Sequence, residues 1–173
     1  MATEIRIHKG SAVGVLTPST EADFAYINAH LRSLDRFEQE HFMRAGSLDR
    51  PDSLDMMETS WTLHLRDEIV GYVALMVPSL QSPLSHVRFV PMLSTENVSH
   101  HPLDYARLSR PILEWVLDQA PAWVTDFYSF PLAKYDAAVR WHEKTMRWHK
   151  VGEFDAEGEK VFIYHISRKE MEK

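Results

Sequence analysis

The stretch SHHPLDYARLSRPILEW, Ser99–Trp115, gathers two adjacent histidines, a tyrosine and two arginines between a strand-like run and a helix-like one. Small α/β proteins commonly cradle a phosphate at such a junction, using backbone N–H groups at a helix N-terminus. Glycines help by letting the backbone approach the anion. Between Leu93 and Leu108 there is no glycine, and Pro102 has no N–H to donate. Arg107 and Arg110 are the residues that could touch a phosphate directly. Metal chemistry is expected nowhere. His100 and His101 are neighbours and point apart on any regular element, His142 and His149 lie seven apart, and no His-Glu-x-x-His pattern occurs. In LRSLDRFEQE, Arg32, Asp35 and Arg36 fall at the spacing of helical ion pairs. This predicts an exposed network of ion pairs.

Bulk properties narrow the function classes. The 173 residues carry a formal charge of −6 with 45% hydrophobic residues, which predicts one domain over 1–173 with a sizeable core. A sequence pI near 5.9 argues against a general nucleic-acid binder, which needs a basic patch. Arg140, Lys144 and Arg147 read as a solvated helix face. The chain has no cysteine, so disulfides and thiolate metal sites are excluded. No apolar run is long enough for a membrane span. The first residues, MATEIRIHKG, lack the apolar centre of a signal peptide. The expected setting is a cytoplasm, or a particle assembled there.

The elements that must position these residues follow from periodicity. IRIHKGSAVGVLTP reads as one opening strand, or two split at Gly10. Thr20 with Asp23 starts a helix by a variant capping box, and Phe24, Ile27, Leu31 and Leu34 continue it at helical spacing. AGSLDRPDS reads as a loop, and SLDMMETS as a short second helix capped by Ser53. Trp61, Leu63 and Leu65 alternate with polar residues as in a half-buried strand, and Asp67–Glu68 make a tight turn. IVGYVALMV reads as a central strand, LQSPLS as a loop, and HVRFVPML as a further strand. A kinked or broken helix then runs from near Pro102 through Gln119, with Ile112, Leu113 and Val116 inward. AWVTDFYSF is a strand, and YDAAVRWHEKTMRWH is a helix with Ala138, Trp141, Thr145 and Trp148 on one face. A hairpin around AEGE closes the pattern. Helices between the later strands imply a crossover and parallel pairing at the fifth strand. The tryptophans read as core, with one or two free to anchor an interface.

This order resembles the GNAT N-acetyltransferase superfamily. Tyr135–Glu153 is similar to its closing helix, N-x-x-A-x-x-F-Y-E-K-x-G-F followed by k-v-g-e, with Ala138, Trp141, Glu143 and Lys144 in matching places. One extra residue precedes Trp148, Tyr135 replaces the asparagine, and no glycine precedes Trp148. A narrower resemblance is to GNAT-like proteins of the structural-gene regions of tailed bacteriophages, often labelled internal virion proteins. It is carried, in order, by Thr20, Asp23, Leu31, Arg32, Asp35, Arg36, Glu38, Trp61, His101, Pro102, Ser109, Arg110, Pro111, Ala138, Val139, Arg140 and Trp141. The resemblance implies an α/β fold: a mixed, about seven-stranded, mostly antiparallel sheet with a parallel central pair and helices on both faces.

The resemblance also implies a chemistry. Superfamily members bind the pyrophosphate of acetyl-CoA on a Q/R-x-x-G-x-G/A loop and the pantetheine arm along the fourth strand. Here the loop has no glycine, and Pro91 is expected to remove a donor from that strand. Val98, Tyr105, Arg107 and Arg110 are the cofactor-binding candidates, and His142 stands where the superfamily often places a tyrosine general acid. Beside Trp141, His142 also reads as an ordinary surface or half-buried histidine. No general base is assignable; Glu58 and Asp67 are acidic residues nearby in the sequence. Phe127, Tyr128 and Phe130 are bulky enough to fill the cofactor cleft. The expected function is therefore a non-catalytic GNAT-fold protein of a phage virion or its assembly. It would use no cofactor, bind other virion proteins and a possible second copy, contact no nucleic acid and span no membrane, and the resemblance makes Arg32, Asp35 and Arg36 candidates for a docking or relic substrate surface. The alternative is an active, cytoplasmic N-acyltransferase using acetyl-CoA.

Overall fold

Glycine at position 10 has a left-handed backbone, φ +61°, and turns the opening run into two strands, β1 (Ile5–Lys9) and β2 (Ala12–Pro18). The computed structural model describes residues 4–45, 57–78 and 84–171. Helix α1 (Glu21–Ala29) begins as its sequence predicts. The Thr20 hydroxyl accepts the Asp23 N–H at 3.2 Å, and the Asp23 carboxylate accepts the Thr20 N–H at 2.9 Å. The helix does not continue to Leu34. Arg32 donates its N–H to the Ser94 carbonyl and Glu96 donates to His30, so the backbone at 30–32 serves the sheet. A second helix, α2 (Ser33–Ala45), starts anew, leaving Leu31 buried and Leu34 43% exposed.

Strands β3 (Thr59–Leu65) and β4 (Glu68–Leu75) form a hairpin whose turn residues, Arg66 and Asp67, both have positive φ. The helix expected from Ser53 is a strand at Thr59 and Ser60; residues 53–56 lie outside the described residues, as do most of the 80–85 loop and the AGSLDRPDS loop. The strand expected over HVRFVPML is divided into β5 (Val87–Phe89) and β6 (Met92–Ser94). Two splits of this kind turn the anticipated seven strands into nine among the described residues; with β7 (Asp126–Ser129), β8 (His149–Ala156) and β9 (Glu159–Ser167) they are arranged as β1-β2-β3-β4-β6 and β5-β7-β9-β8. Strand β7 (Asp126–Ser129) runs parallel to β5, as the crossover predicts, and the other pairings are antiparallel.

A 3-10 turn, Glu96–His100, leads into α3 (Pro102–Asp118), which is one unbroken helix with Pro111 inside it. It buries Leu108, Ile112, Leu113, Val116 and Leu117. Successive β4 residues face opposite ways. Tyr72 and Ala74 pack with Phe24 and Ile27 of α1, while Val73 and Leu75 join the core cluster that contains the α3 residues, so helices cover both faces. Trp148 is buried in that cluster, Trp61, Trp115 and Trp141 pack on its edge, and Trp123 is exposed.

Helix α4 (Asp136–Arg140) passes into a π-helical turn, Trp141–Met146, that ends at Arg147 with φ +58° and ψ +34°. The π turn absorbs the extra residue of the sequence motif and rotates the inward face. His142 and Met146 are buried, whereas Ala138, Trp141 and Thr145 are only half-buried. Strands β8 (His149–Ala156) and β9 (Glu159–Ser167) close around Glu157–Gly158, and α5 (Arg168–Met171) follows.

Arg88 is fully buried, and Glu58 grips it by two bonds, the Nη2 one at 2.8 Å; Nη1 donates to the carbonyls of Ser85 and Val87. Replacing Glu58 by alanine removes the carboxylate from a buried guanidinium and is expected to cost about 3 kcal/mol, read as a lower urea midpoint. Arg147→Gly should do the reverse. It relieves a left-handed conformation worth about 1–2 kcal/mol, offset in part by the larger unfolded-state entropy of glycine. The expected outcome is a stabilisation of up to about 1 kcal/mol with an unchanged denaturant slope.

Candidate functional site

Strand segment 89–95 keeps β4 as a neighbour throughout. Met76 and Phe89 exchange backbone bonds, Ala74 donates to Pro91 and Thr95 donates to Val70. On its other edge the last bond to β7 runs from the Val90 N–H to the Tyr128 carbonyl at 3.0 Å. Beyond Val90 the two sheets part. The wedge encloses a cavity of about 330 Å³, bordered among others by Pro91, Met92, Tyr105, Phe130 and Trp141. The bulky residues of β7 and Phe130 just after it do not plug it. Phe127 is wholly buried in the core, Tyr128 packs against His165, and Phe130 forms a wall.

An antiparallel ladder alternates the direction of its N–H groups. Residues 91 and 95 bond toward β4, so Met92 and Ser94 turn their N–H groups toward the wedge. Asp35 accepts the Ser94 N–H at 3.2 Å, which leaves the Met92 N–H facing the cavity. This corrects the expectation for Pro91. Its missing N–H lies on the β4 side, opposite Ala74, and takes nothing from the cavity side.

His142 and Ser129 form the opposite wall. His142 is 4% exposed, not a surface residue, and both ring nitrogens are engaged. Nδ1 lies 2.7 Å from the Ala138 carbonyl and Nε2 lies 2.9 Å from the Ser129 hydroxyl. A carbonyl only accepts, so Nδ1 carries the proton and Nε2 accepts from Ser129. Burial lowers the His142 pKa to about 4, partly opposed by the Ala138 hydrogen bond and by Glu143. The imidazole is therefore neutral at neutral pH and presents a lone pair, not a proton, to the serine. Tyr105 closes the floor: its hydroxyl is 2.8 Å from the Ser94 hydroxyl, and burial raises its pKa.

The 95–101 segment has a different character. The N–H groups of Thr95, Glu96, Val98 and His101 donate to the carbonyls of Val70, His30, Thr95 and Val98. One Glu68 carboxylate oxygen bonds His101 Nε2 at 2.7 Å and His100 Nδ1 at 3.1 Å, and these bonds lower the Glu68 pKa. Asp104, in the first turn of α3, pairs with Arg66. Protein carboxylates thus already complement the positive end of the helix.

The cavity brings together Arg32, Asp35, Tyr105 and His142. The other sequence candidates lie elsewhere. Val98 is in the core, Arg107 is exposed, and Arg110 bonds Glu114 at 2.7 Å and the Thr145 carbonyl at 3.4 Å. Arg36 is exposed, reaching the Ala29 carbonyl at 3.4 Å. Asp35, expected at the surface, is 5% exposed, because its carboxylate joins Arg32 at 2.6 Å to the Ser94 backbone. Glu58 is the partner of Arg88 and Asp67 sits in the hairpin turn. Ser129 and the Met92 N–H have no motif in the sequence; they emerge from ladder parity and from the π turn that swings His142 inward. Among the described residues, no group of three or more His, Asp or Glu is placed to hold a metal ion, and no helix is long and apolar enough to cross a membrane.

No protein-family model and no curated protein matches the chain. Solved structures do. The aminoglycoside acetyltransferase AAC(6')-Ib, in complex with paromomycin and acetyl-CoA, aligns with a TM-score of 0.65 at 19% identity over 92% of this chain and 96% of that one. A spermidine N-acetyltransferase SpeG chimera, from Vibrio cholerae and hSSAT, aligns at 0.61 and 12% identity over 92% and 99%. An N-acetyltransferase from Staphylococcus aureus Mu50 aligns at 0.58 and 10% over 89% and 98%. At these identities the likeness establishes architecture: the chain has the fold of the GNAT N-acetyltransferases.

Proposed function

We propose that the chain is an N-acyltransferase that takes its acyl group from a thioester seated between β6 and β7. The observation that carries this is the open cavity at the parting of the sheets, with the Met92 N–H on one side and the Ser129–His142 pair on the other. A thioester carbonyl there would accept from the Met92 N–H, which is fixed by the sheet before the reaction begins. An attacking amine must lose a proton as the new bond forms, and the Ser129 hydroxyl, hydrogen-bonded to His142, stands in the wall to relay it. Similar folds in the comparison carry coenzyme A or acetyl-CoA, which supports a thioester donor.

The two ends of coenzyme A fit this chain unequally. The apolar cavity suits an acyl group and its arm. The 95–101 segment does not suit the diphosphate, because the N–H groups of Thr95, Glu96, Val98 and His101 serve the backbone and Glu68 already places negative charge beside α3. Of the cofactor candidates, Tyr105 would meet the arm, whereas Val98 is interior and Arg107 and Arg110 lie farther along α3. Losing two or three charge-assisted hydrogen bonds at about 1.5–3 kcal/mol each would weaken binding by a factor on the order of a thousand. The donor is accordingly recognised by its arm.

The same segment supports a second reading, a non-catalytic protein of a phage virion or its assembly. That reading rests on the ordered sequence motifs and would use surface contacts with other virion proteins or a second copy. Of its docking candidates, Arg36 and the partly exposed Arg32 reach solvent. Calorimetry separates the readings. Acetyl-CoA and S-acetyl-pantetheine, which lacks the nucleotide, are expected to bind with affinities within about tenfold of each other. A preference for acetyl-CoA of more than about a hundredfold would mean that the 95–101 segment does hold a diphosphate. Silence from both at millimolar concentration would exclude the enzyme. Mass spectrometry of purified particles would then examine the virion role.

A further inference from the structure

We propose that Arg32 binds a carboxylate carried by the acyl acceptor, so that the amine acylated in this cleft is that of an amino acid or a similar zwitterion. This deepens the acyltransferase reading and rests on it. Among the described residues, Arg32 is the one lysine or arginine that borders the cavity. Its Nε donates to Asp35 at 2.6 Å, and its terminal amino groups make no hydrogen bond with a described residue. A guanidinium presents those groups as a planar fork that matches the paired oxygens of a carboxylate.

Arg32 is held in place independently of any ligand. Its backbone N–H donates to the Ser94 carbonyl at 3.0 Å. Asp35 holds Arg32 Nε with one oxygen and accepts the Ser94 N–H at 3.2 Å with the other. Backbone and side chain are therefore both tied to β6, close along the strand to Met92. Burial alone would lower the Arg32 pKa, but Asp35, Tyr105 and Glu38 more than offset it, so the group stays a cation. Arg88 shows the contrast. It is wholly buried with Nε, Nη1 and Nη2 all bonded to protein, as a purely structural arginine must be. Arg32 is partly exposed at the cavity and its fork is unused.

The surroundings define the rest of the acceptor. Glu38, one turn after Asp35 on α2, borders the same cavity and accepts the Leu132 N–H at 3.2 Å. A zwitterion fits this end of the cleft with its carboxylate on Arg32 and its ammonium toward Glu38. An amine without a carboxylate would displace water from the Arg32 fork and give it no partner, which costs affinity. Leu34, Phe130 and Tyr135 add apolar surface, which suits an apolar side chain on the acceptor. For transfer, the ammonium first gives one proton to solvent. Its nitrogen then bonds the thioester carbonyl carbon, the carbon–sulfur bond breaks, and the second proton released by the nitrogen goes to the departing thiolate.

The test compares acceptors on the full chain, with acetyl-CoA or S-acetyl-pantetheine as donor and mass detection of the N-acetyl product. L-Leucine, L-methionine and L-phenylalanine are each paired with the amine that lacks only their carboxylate: isoamylamine, 3-methylthiopropylamine and phenethylamine. The expected kcat/KM is at least about tenfold higher for the best acid than for its paired amine. Arg32→Gln raises KM for that acid at least about tenfold more than KM for the amine. Arg32→Lys, which keeps the charge but not the fork, falls between. An equal loss for acid and amine in Arg32→Gln would assign Arg32 to the fold alone and overturn the proposal. So would wild-type transfer to the amines as good as to the acids, or a bound donor with transfer to none of these acceptors. A preference for succinyl-CoA over acetyl-CoA with a plain amine would place the carboxylate on the acyl group and overturn the acceptor assignment. Each of these results leaves the acyltransferase reading intact, whereas failure of both acetyl donors to bind would overturn both.

Discussion

The chain segment from Phe89 to Thr95 cannot satisfy two sheets along its whole length, and the molecule is arranged around that constraint. One edge pairs with β4 throughout, while the other pairs with β7 only as far as Val90. Strands twist, and a strand shared by two divergent sheets must give up one partner. Buried backbone groups freed in this way need other partners. Asp35 supplies one by accepting the Ser94 N–H, and Arg32 supplies another by donating its own N–H to the Ser94 carbonyl. The break between α1 and α2 follows from this, because residues 30–32 must lie against the strand instead of completing a helix.

The closed end of the wedge is made rigid by a different kind of contact. Arg88, one residue before Phe89, is wholly buried and bound by Glu58, the residue before β3, and by the carbonyls of Ser85 and Val87. A charge in that position is tolerable only with its partners in place, so the pair pins the register where both sheets are still joined. On the open side, Gly71 allows β4 and β6 to approach. A Cβ there would stand 2.2 Å from the Leu93 carbonyl, so no larger residue fits without moving the strand that carries Met92. Thus the cavity is not a packing defect. Its width is set by Arg88 at the hinge, Gly71 on one wall and the π turn on the other.

Much of this architecture was legible in the residues. The Thr20 capping box, the strand through Trp61, the AEGE turn and the crossover to the fifth strand all rest on local rules, and each is found, although Thr62, expected on the open face of its strand, is fully buried. The departures have one origin. Helical spacing continued through Leu31 and Leu34, yet long-range bonds to Ser94 and Glu96 outweighed it. Pro91 was legible as an interruption, but ladder parity decides which side loses a donor, and parity is not written in composition. Arg32, Asp35, Tyr105 and His142 could be singled out individually. Their convergence could not, because Asp35 is drawn inward by a backbone N–H some sixty residues away in sequence.

The closing helix shows how a one-residue change in spacing becomes chemistry. The extra residue before Trp148 has no room in regular helical register, since Trp148 and the strand after it are fixed by the core and by β9. A π turn takes up the surplus, and Arg147 adopts the left-handed conformation where the superfamily pattern has a glycine. Without the wider turn, the face with Ala138, Trp141 and Thr145 would point inward. With it, His142 is carried into the core, where burial suppresses its charge and its free nitrogen meets Ser129. The left-handed backbone at Arg147 and the lowered pKa of His142 thus both accompany the π turn, and that turn places a hydrogen-bonded imidazole at the edge of the cleft.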